Sequence, residues 1–236
     1  DGMAERVLQG CGQGGREIAL TLRRSTRARR MTLRISQLDG RVTLTLPPRV
    51  SEREAMAFAR EKHAWICKHL DARPDEVSVR LGAVWPIEGA ERTVITGPGR
   101  AVRLSPEALV VPGAADAVPR RALGFLKARA RDRLAAASDL YADRLGCAYS
   151  GLSIRDTRSR WGSCSSAGRL MYSWRLILAP PAVLDYVAAH EVAHLAQMNH
   201  SPAFWAEVER IHGPYAPMRT WLRTEGNGLH RYRFGD

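Results

Sequence analysis

The sequence predicts an α+β fold in two parts, a β-rich N-terminal domain at residues 1–112 and a mixed domain at residues 113–236 that contains the longest helices. Short stretches in the first half alternate apolar and polar residues with the period of two that a half-buried strand requires. Longer stretches in the second half repeat apolar residues at helical spacing. Small, turn-forming residues at 113–119 separate the halves, so we expect the boundary there.

Alternating stretches near the N-terminus predict three strands, at 18–22, 31–35 and 42–46. Asp39-Gly40, between the second and third strands, is typical of a type I′ hairpin turn. Ser51 and Glu54 form the capping-box pattern that opens a helix. Short strand-like runs return between residues 77 and 111, which makes this half predominantly β.

Periodicity in the second half predicts three helices, at about 120–145, at 180–198 and from 201 onward. Two strand-like stretches lie between the first and second of these helices, at 152–158 and 169–174. Pro180-Pro181 opens the second helix and Ser201-Pro202 the third, because proline fits the first turn and serine caps it.

Arginine gives the chain its charge, since 36 Lys+Arg against 24 Asp+Glu leave a net charge of +12 and only three of the basic residues are lysine. The positive charge is concentrated in three segments, 16–34, 120–133 and 155–175. Residues 176–209 contain no lysine or arginine. The distribution of positive charge along the chain is therefore more informative about function than the net charge.

The N-terminal strands carry the best candidate for a nucleic-acid contact. Six arginines lie there: Arg23, Arg24, Arg27, Arg29, Arg30 and Arg34. No aromatic residue is interleaved among them, so the stacking pattern of single-strand binders is missing. A solvated, arginine-rich face is the alternative.

No run of about 18 apolar residues occurs, which excludes a transmembrane helix, and we expect a cytoplasmic protein without a membrane partner. The four cysteines are far apart in the sequence: Cys11, Cys67, Cys147 and Cys164. This spacing predicts four reduced thiols. The oligomeric state is not predicted.

The segment His190-Glu191-Val192-Ala193-His194 is an H-E-x-x-H motif. Residues four apart on a helix differ by about 40° around its axis, so both imidazoles reach one metal ion. His200 follows six residues later, a spacing close to that of zinc proteases whose third histidine comes after a turn. Asn199, which tolerates left-handed backbone angles, is predicted to end the helix before His200.

The surrounding residues favour a metal over an accidental motif. The helix is apolar on almost every side, and buried His and Glu side chains need partners. We predict that His190, His194 and His200 bind Zn²⁺ and leave one position for water. Glu191 is then the general base that takes a proton from the metal-activated water. Asp185 is a candidate to orient a ligand, with a capping role as the alternative.

The chain resembles the YgjP-like metallopeptidases, a bacterial branch of the zincins related to SprT-like and WLM proteins. The resemblance extends from about Arg23 to Leu222, and its most specific segments are Trp161-Gly162-Ser163-Cys164, Leu184-Asp185-Tyr186-Val187, His190–His194, Asn199-His200-Ser201 and Phe204-Trp205. It implies a zincin-like catalytic domain, His190, His194 and His200 as zinc ligands, and Glu191 as the catalytic glutamate. The family also includes a link to UTP hydrolysis.

Three functions follow as expectations. A zinc metallopeptidase that cleaves a peptide or protein substrate leads. The second is a metal-dependent hydrolase of UTP or another nucleoside triphosphate, with Arg158 and Arg160 on one strand face as phosphate contacts. The third is a nucleic-acid-binding protein with structural zinc, which the absence of a clear fourth protein ligand disfavours.

Several other polar residues have no role that the sequence can assign. Cys164 is interpreted as a packing thiol, because no base lies near it in the sequence. Four residues after the motif are candidate proton donors: His212, Tyr215, His230 and Tyr232.

Overall fold

The computed structural model describes residues 3–11, 15, 17–36, 39–73 and 75–235. The described chain mixes helices with several small sheets, which confirms the predicted α+β class. It divides into two compact units, Asp1–Asp75 and Glu76–Asp236. Among the described residues, no helix combines the length and the apolar character needed to cross a membrane.

The division at 75/76 differs from the expected domain boundary at 112/113. The strands between residues 77 and 111 bury Trp85, Ile87 and Leu109 in the same core as the long helices of the second unit. Their strand-like sequence indicated a β-rich half, but the hydrophobic core that receives them decides the unit to which they belong.

The described residues of the first unit form four strands and two helices: β1 (Met3–Leu8), β2 (Ile18–Arg24), β3 (Thr32–Ile35), β4 (Val42–Leu46), α1 (Glu52–Glu61) and α2 (His63–Asp71). The strand order is β1-β2-β4-β3, with β2 and β4 parallel and the other pairs antiparallel. Alternate residues such as Leu20, Val42 and Leu44 are fully buried, as their period of two predicts. Ser51 and Glu54 form the predicted capping box.

The hairpin between β3 and β4 is longer than a type I′ turn. The strands end at Ile35 and resume at Val42, and the Ser36 amide donates to the Arg41 carbonyl at 2.9 Å. Gly40 takes a positive φ of 69°. Asp39-Gly40 therefore closes a larger loop, because a two-residue turn would need strands that reach residues 38 and 41.

Two of the cysteines correct a prediction. Cys11 and Cys67 form a disulfide, whereas Cys147 and Cys164 are free, so the expectation of four reduced thiols is wrong. The two bonded residues are 56 apart in sequence, but folding brings their Cα atoms within 5.3 Å. This distance lies inside the range that a disulfide spans, and sequence spacing alone does not reveal it.

The described part of the second unit contains three small sheets and four α-helices, two of which pack closely together. Its strands are β5 (Val77–Ser78), β6 (Val84–Ile87), β7 (Ala90–Ile95), β8 (Arg103–Leu104), β9 (Ala108–Val110), β10 (Gly151–Arg155), β11 (Gly162–Cys164), β12 (Arg169–Ser173) and β13 (Tyr232–Arg233). Its helices are α3 (Val118–Leu145), α4 (Pro181–Ala193), α5 (Pro202–His212) and α6 (Ala216–Thr224). A sheet of order β10-β12-β11 leaves β11 at an edge, beside α4.

Helix α3 buries a stripe at helical spacing that includes Ala122, Leu126, Ala130 and Leu134, as predicted. Helix α4 is apolar on nearly all sides and is buried between α3 and its other neighbours. It ends at Ala193 rather than near residue 198. Its last turn tightens instead, since the Leu195 amide donates to the Val192 carbonyl three residues back.

Candidate metal centre

Three histidines converge where α4 ends and α5 begins. His190 lies in the last turn of α4, His194 is its C-terminal cap residue, and His200 lies in the connection before α5. One ligand nitrogen from each lies within 4.8 Å of the other two. His194 is buried, His190 is partly buried and His200 is exposed, so the group opens to solvent on one side.

The spacing of two of these nitrogens suits a tetrahedral metal ion. The Nε2 atoms of His190 and His200 are 3.1 Å apart. Two histidine nitrogens bound tetrahedrally to one zinc ion, each at 2.0–2.1 Å, are separated by about 3.3 Å. The donor set is also suitable, because imidazole is a common zinc ligand.

Hydrogen bonds at the opposite ring nitrogens orient two of the imidazoles. His194 donates from Nδ1 to the Gln197 carbonyl at 2.9 Å, which leaves its Nε2 without a proton. His190 Nδ1 lies 3.5 Å from the Tyr186 hydroxyl. Because α4 ends at Ala193 and the chain turns back at Gln197, the Gln197 carbonyl can reach His194 Nδ1. Asn199 does not take the left-handed conformation that the sequence suggested.

Aromatic side chains of α5 pack around the histidines. Phe204 is fully buried, and its ring centroid lies 4.4–4.9 Å from those of all three histidines. Trp205 stacks on His200 at 5.8 Å. Ser201 caps α5 by accepting from the Phe204 amide, as the Ser201-Pro202 pattern predicts. This cap therefore fixes the first turn of α5, which carries Phe204 and Trp205.

The surroundings keep His190 and His194 neutral. Burial, followed by the charges of His194, His200 and Arg219, lowers the pKa of His190 to about 3. Burial also lowers the pKa of His194. A neutral imidazole is the form that binds metal, so His190 and His194 do not have to lose a proton before binding it.

Glu191 is buried beside the β11 edge strand. Its side chain is shielded from solvent, and burial raises its pKa to about 8, with the positive charge of Arg160 acting in the opposite direction. A Cβ atom placed on Gly162 would lie 2.6 Å from Glu191 Cγ and 2.7 Å from Oε1. Gly162 therefore lets the carboxyl group lie directly against the strand.

The remaining predicted residues have different surroundings. Asp185 is surrounded by the charges of Arg133 and His212, and the ring nitrogens it was expected to orient contact Tyr186 and Gln197 instead. Arg158 and Arg160 lie on the loop between β10 and β11, not on a strand face.

The candidate proton donors and Cys164 lie in different places in the second unit. His212 and Tyr215 pack on Tyr186, and His230 is buried against Trp161. Tyr232 belongs to β13. Cys164 lies on β11, and burial followed by the charge of Glu191 raises its pKa, which is consistent with a packing thiol.

The sequence alone assigned no role at this site to four contributors: Tyr186, the Gln197 carbonyl, Phe204 and Gly162. Tyr186 carried a usable signal, because it precedes His190 by one helical turn on the same face. The carbonyl of Gln197 carried none, because a backbone contact depends on where the helix ends.

Residues 29–225 match a family model described as YgjP-like, metallopeptidase domain. A search of solved structures found the crystal structure of the metallopeptidase zymogen abylysin of Pyrococcus abyssi, which is 21% identical, with a TM-score of 0.35. That match covers 39% of this chain and 95% of the other. A search of curated proteins found no match.

Proposed function

Because this chain belongs to the YgjP-like family, we propose that it is a zinc-dependent metallopeptidase in which His190, His194 and His200 bind the metal. The family supports a metal-dependent hydrolase, and the convergence of three histidine nitrogens within 4.8 Å carries the proposal. Three histidines with an open side are typical of a catalytic zinc site, whereas structural sites have four protein ligands.

Glu191 is the general base of this proposal. A zinc ion held by the three histidines supplies Lewis-acid chemistry and lowers the pKa of a bound water to about 7. A nearby dication also favours the ionised form of Glu191, which burial alone keeps protonated. The carboxylate then accepts the proton of the attacking water and passes it to the leaving amine.

The edge strand β11 supports a polypeptide substrate. It pairs on one side with β12, and Gly162 on it touches Glu191. An extended peptide that adds to a free strand edge forms main-chain hydrogen bonds independent of its side chains. Such a peptide would pass beside the general base.

Glu191→Gln tests this proposal in a peptidase assay with casein-like substrates and zinc-loaded protein. We expect kcat/KM to fall about 10²- to 10⁴-fold, because the amide accepts no proton, while the metal content is unchanged. Asp132→Asn, at an exposed position on α3, is the control for loss of one negative charge and should retain activity. Equal activity in Glu191→Gln and wild type would refute the assignment.

A nucleoside triphosphatase is the second candidate, favoured by the proximity of the exposed Arg160 to Glu191. An arginine beside the general base is suited to phosphate oxygens. Parallel assays with peptides and UTP separate the two functions. Release of pyrophosphate that requires both Glu191 and Arg160, without peptide cleavage, would favour the nucleotide.

Two further features remain predictions. The six N-terminal arginines are exposed, three on β2 and β3 and three on the connection between these strands, and salt-dependent binding of DNA or RNA would support a nucleic-acid partner. The expected cytoplasmic location conflicts with the Cys11–Cys67 disulfide, since such bonds are rare in reducing compartments.

A further inference from the structure

A cavity of about 550 Å³ lies between the end of α5 and α6. Its lining includes Glu209, Tyr215, Arg219, Thr220 and Arg223. Arg219 and Arg223 are one helical turn apart, so both guanidinium groups emerge on the same side of α6. Glu209 is the single acidic residue among the residues that line the cavity.

Two ring contacts connect this cavity to the histidines. The Tyr215 ring stacks on Trp205 with centroids 5.1 Å apart, and Trp205 stacks on His200 at 5.8 Å. The guanidinium carbon of Arg219 lies 4.5 Å from the centre of the same Trp205 ring. One tryptophan therefore separates the cavity from a predicted metal ligand.

The arginines of the cavity are available to a ligand. Among the described residues, neither Arg219 nor Arg223 forms an ion pair with a carboxylate, whereas Arg210 on the preceding helix is paired with Glu207 at 2.6 Å. Stacking on Trp205 holds Arg219 in place and leaves the donors at the edge of its guanidinium group for an acceptor. Thr220 adds a hydroxyl group to the same lining.

We propose that this cavity is a specificity subsite that binds a carboxylate of the peptide substrate through Arg219 and Arg223. The carboxylate comes from an aspartate or glutamate side chain or from the C-terminus of the substrate, and both present the planar pair of oxygens that arginine recognises. This inference rests on the proposed peptidase function, because it assumes a polypeptide at the neighbouring metal centre.

The test measures peptide binding by calorimetry to zinc-loaded Glu191→Gln protein, in which turnover is blocked. Matched hexapeptides differ in one residue, glutamate or glutamine, and carry a free or amidated C-terminus. In this background we expect Arg219→Gln and Arg223→Gln each to weaken binding of the acidic peptides about tenfold or more, since a hydrogen bond to a charged group is lost. Binding of the neutral, amidated peptide should change less than twofold.

Two further variants sharpen the result. Glu209→Gln should tighten binding of the acidic peptides by removing the opposing charge from the cavity, and Arg131→Gln, on the exposed side of α3, should change nothing. The amidated glutamate peptide and the free-acid glutamine peptide identify which carboxylate is bound.

Equal affinity for acidic and neutral peptides, failure of any peptide to bind, or Arg219-dependent binding of UTP alone would overturn the inference. Hydrolysis of casein-like peptides without a preference for acidic residues would refute the subsite but not the peptidase. Arginine-dependent binding of acidic peptides without hydrolysis in the wild-type protein would refute the peptidase and keep the subsite.

Discussion

At the scale of single residues, the contact between Gly162 and Glu191 determines where the Glu191 carboxyl group lies. The Glu191 carboxyl group can lie against the edge strand only because residue 162 has no side chain. The spacing of the H-E-x-x-H motif was sufficient to predict that the imidazoles of His190 and His194 lie close together, since the geometry of a helix fixes their mutual orientation. The sequence did not identify the contact with Gly162, because it joins elements that only the tertiary fold brings together.

Gly162→Ala should lower peptidase kcat/KM at least tenfold with little loss of bound metal. The added Cβ would lie under 3.0 Å from three atoms of Glu191, so the carboxyl group must move. Gly151→Ala, in β10 of the same sheet, is the matched control, because its Cβ would meet only Arg169 Cζ, at 4.0 Å. Equal activity in the two variants would show that the position of Glu191 tolerates displacement.

The raised pKa of Glu191 predicts a pH-dependent difference in the stability of the metal-free protein. The unfolded chain ionises this group above its ordinary value of 4.5, whereas the fold keeps it protonated until about pH 8. The wild type should therefore lose unfolding free energy relative to Glu191→Gln as the pH rises from 4.5 to 8.

Urea unfolding of the two metal-free proteins at pH 5 and pH 8.5 measures this difference, because the variant retains every other titrating group. A gap between wild type and variant that stays constant with pH would contradict a desolvated carboxyl group.

At the scale of one element, the end of helix α4 determines which backbone group contacts His194. The sequence predicted where α4 begins, since Pro180-Pro181 fixes its start, but placed its end near residue 198 instead of at Ala193. No glycine or proline marks the true end. The turn there lets the Gln197 carbonyl reach His194, so tertiary packing overrides a helical pattern that the residues alone would have continued.

The disulfide between Cys11 and helix α2 should stabilise the first unit. A link across 56 residues restricts the unfolded chain by about 4 kcal/mol in the chain-entropy description. Cys67→Ser should therefore lower the unfolding free energy of this unit by about 2–5 kcal/mol, measured in denaturant without reductant.

Cys147→Ser, which removes a free thiol, is the control and should cost much less. Reductant should lower the stability of wild type to that of Cys67→Ser. Equal stability of wild type and Cys67→Ser under oxidising conditions would contradict the bond.

At the scale of the whole second unit, the positively charged residues are unevenly distributed along the chain. The segment without lysine or arginine, 176–209, includes all of α4 and all three histidines. Arg175, immediately before it, is buried but neutralised by two hydrogen bonds to Asp156, at 2.8 and 3.2 Å. Arg160 and Arg219 then approach this segment from outside it. The sequence predicted this distribution of positive charge. It did not predict the boundary between the two units, because that boundary depends on which residues share a hydrophobic core.

Metal content per chain is the most direct test of the central claim that the three histidines form a zinc site. Wild-type protein purified without added metal, or reconstituted with zinc and desalted, should contain about one zinc per chain by elemental analysis. His194→Ala should contain less than a tenth as much, while His69→Ala, in the first unit, should match wild type. Wild-type protein without zinc, or His194→Ala with an undiminished zinc content, would contradict the account.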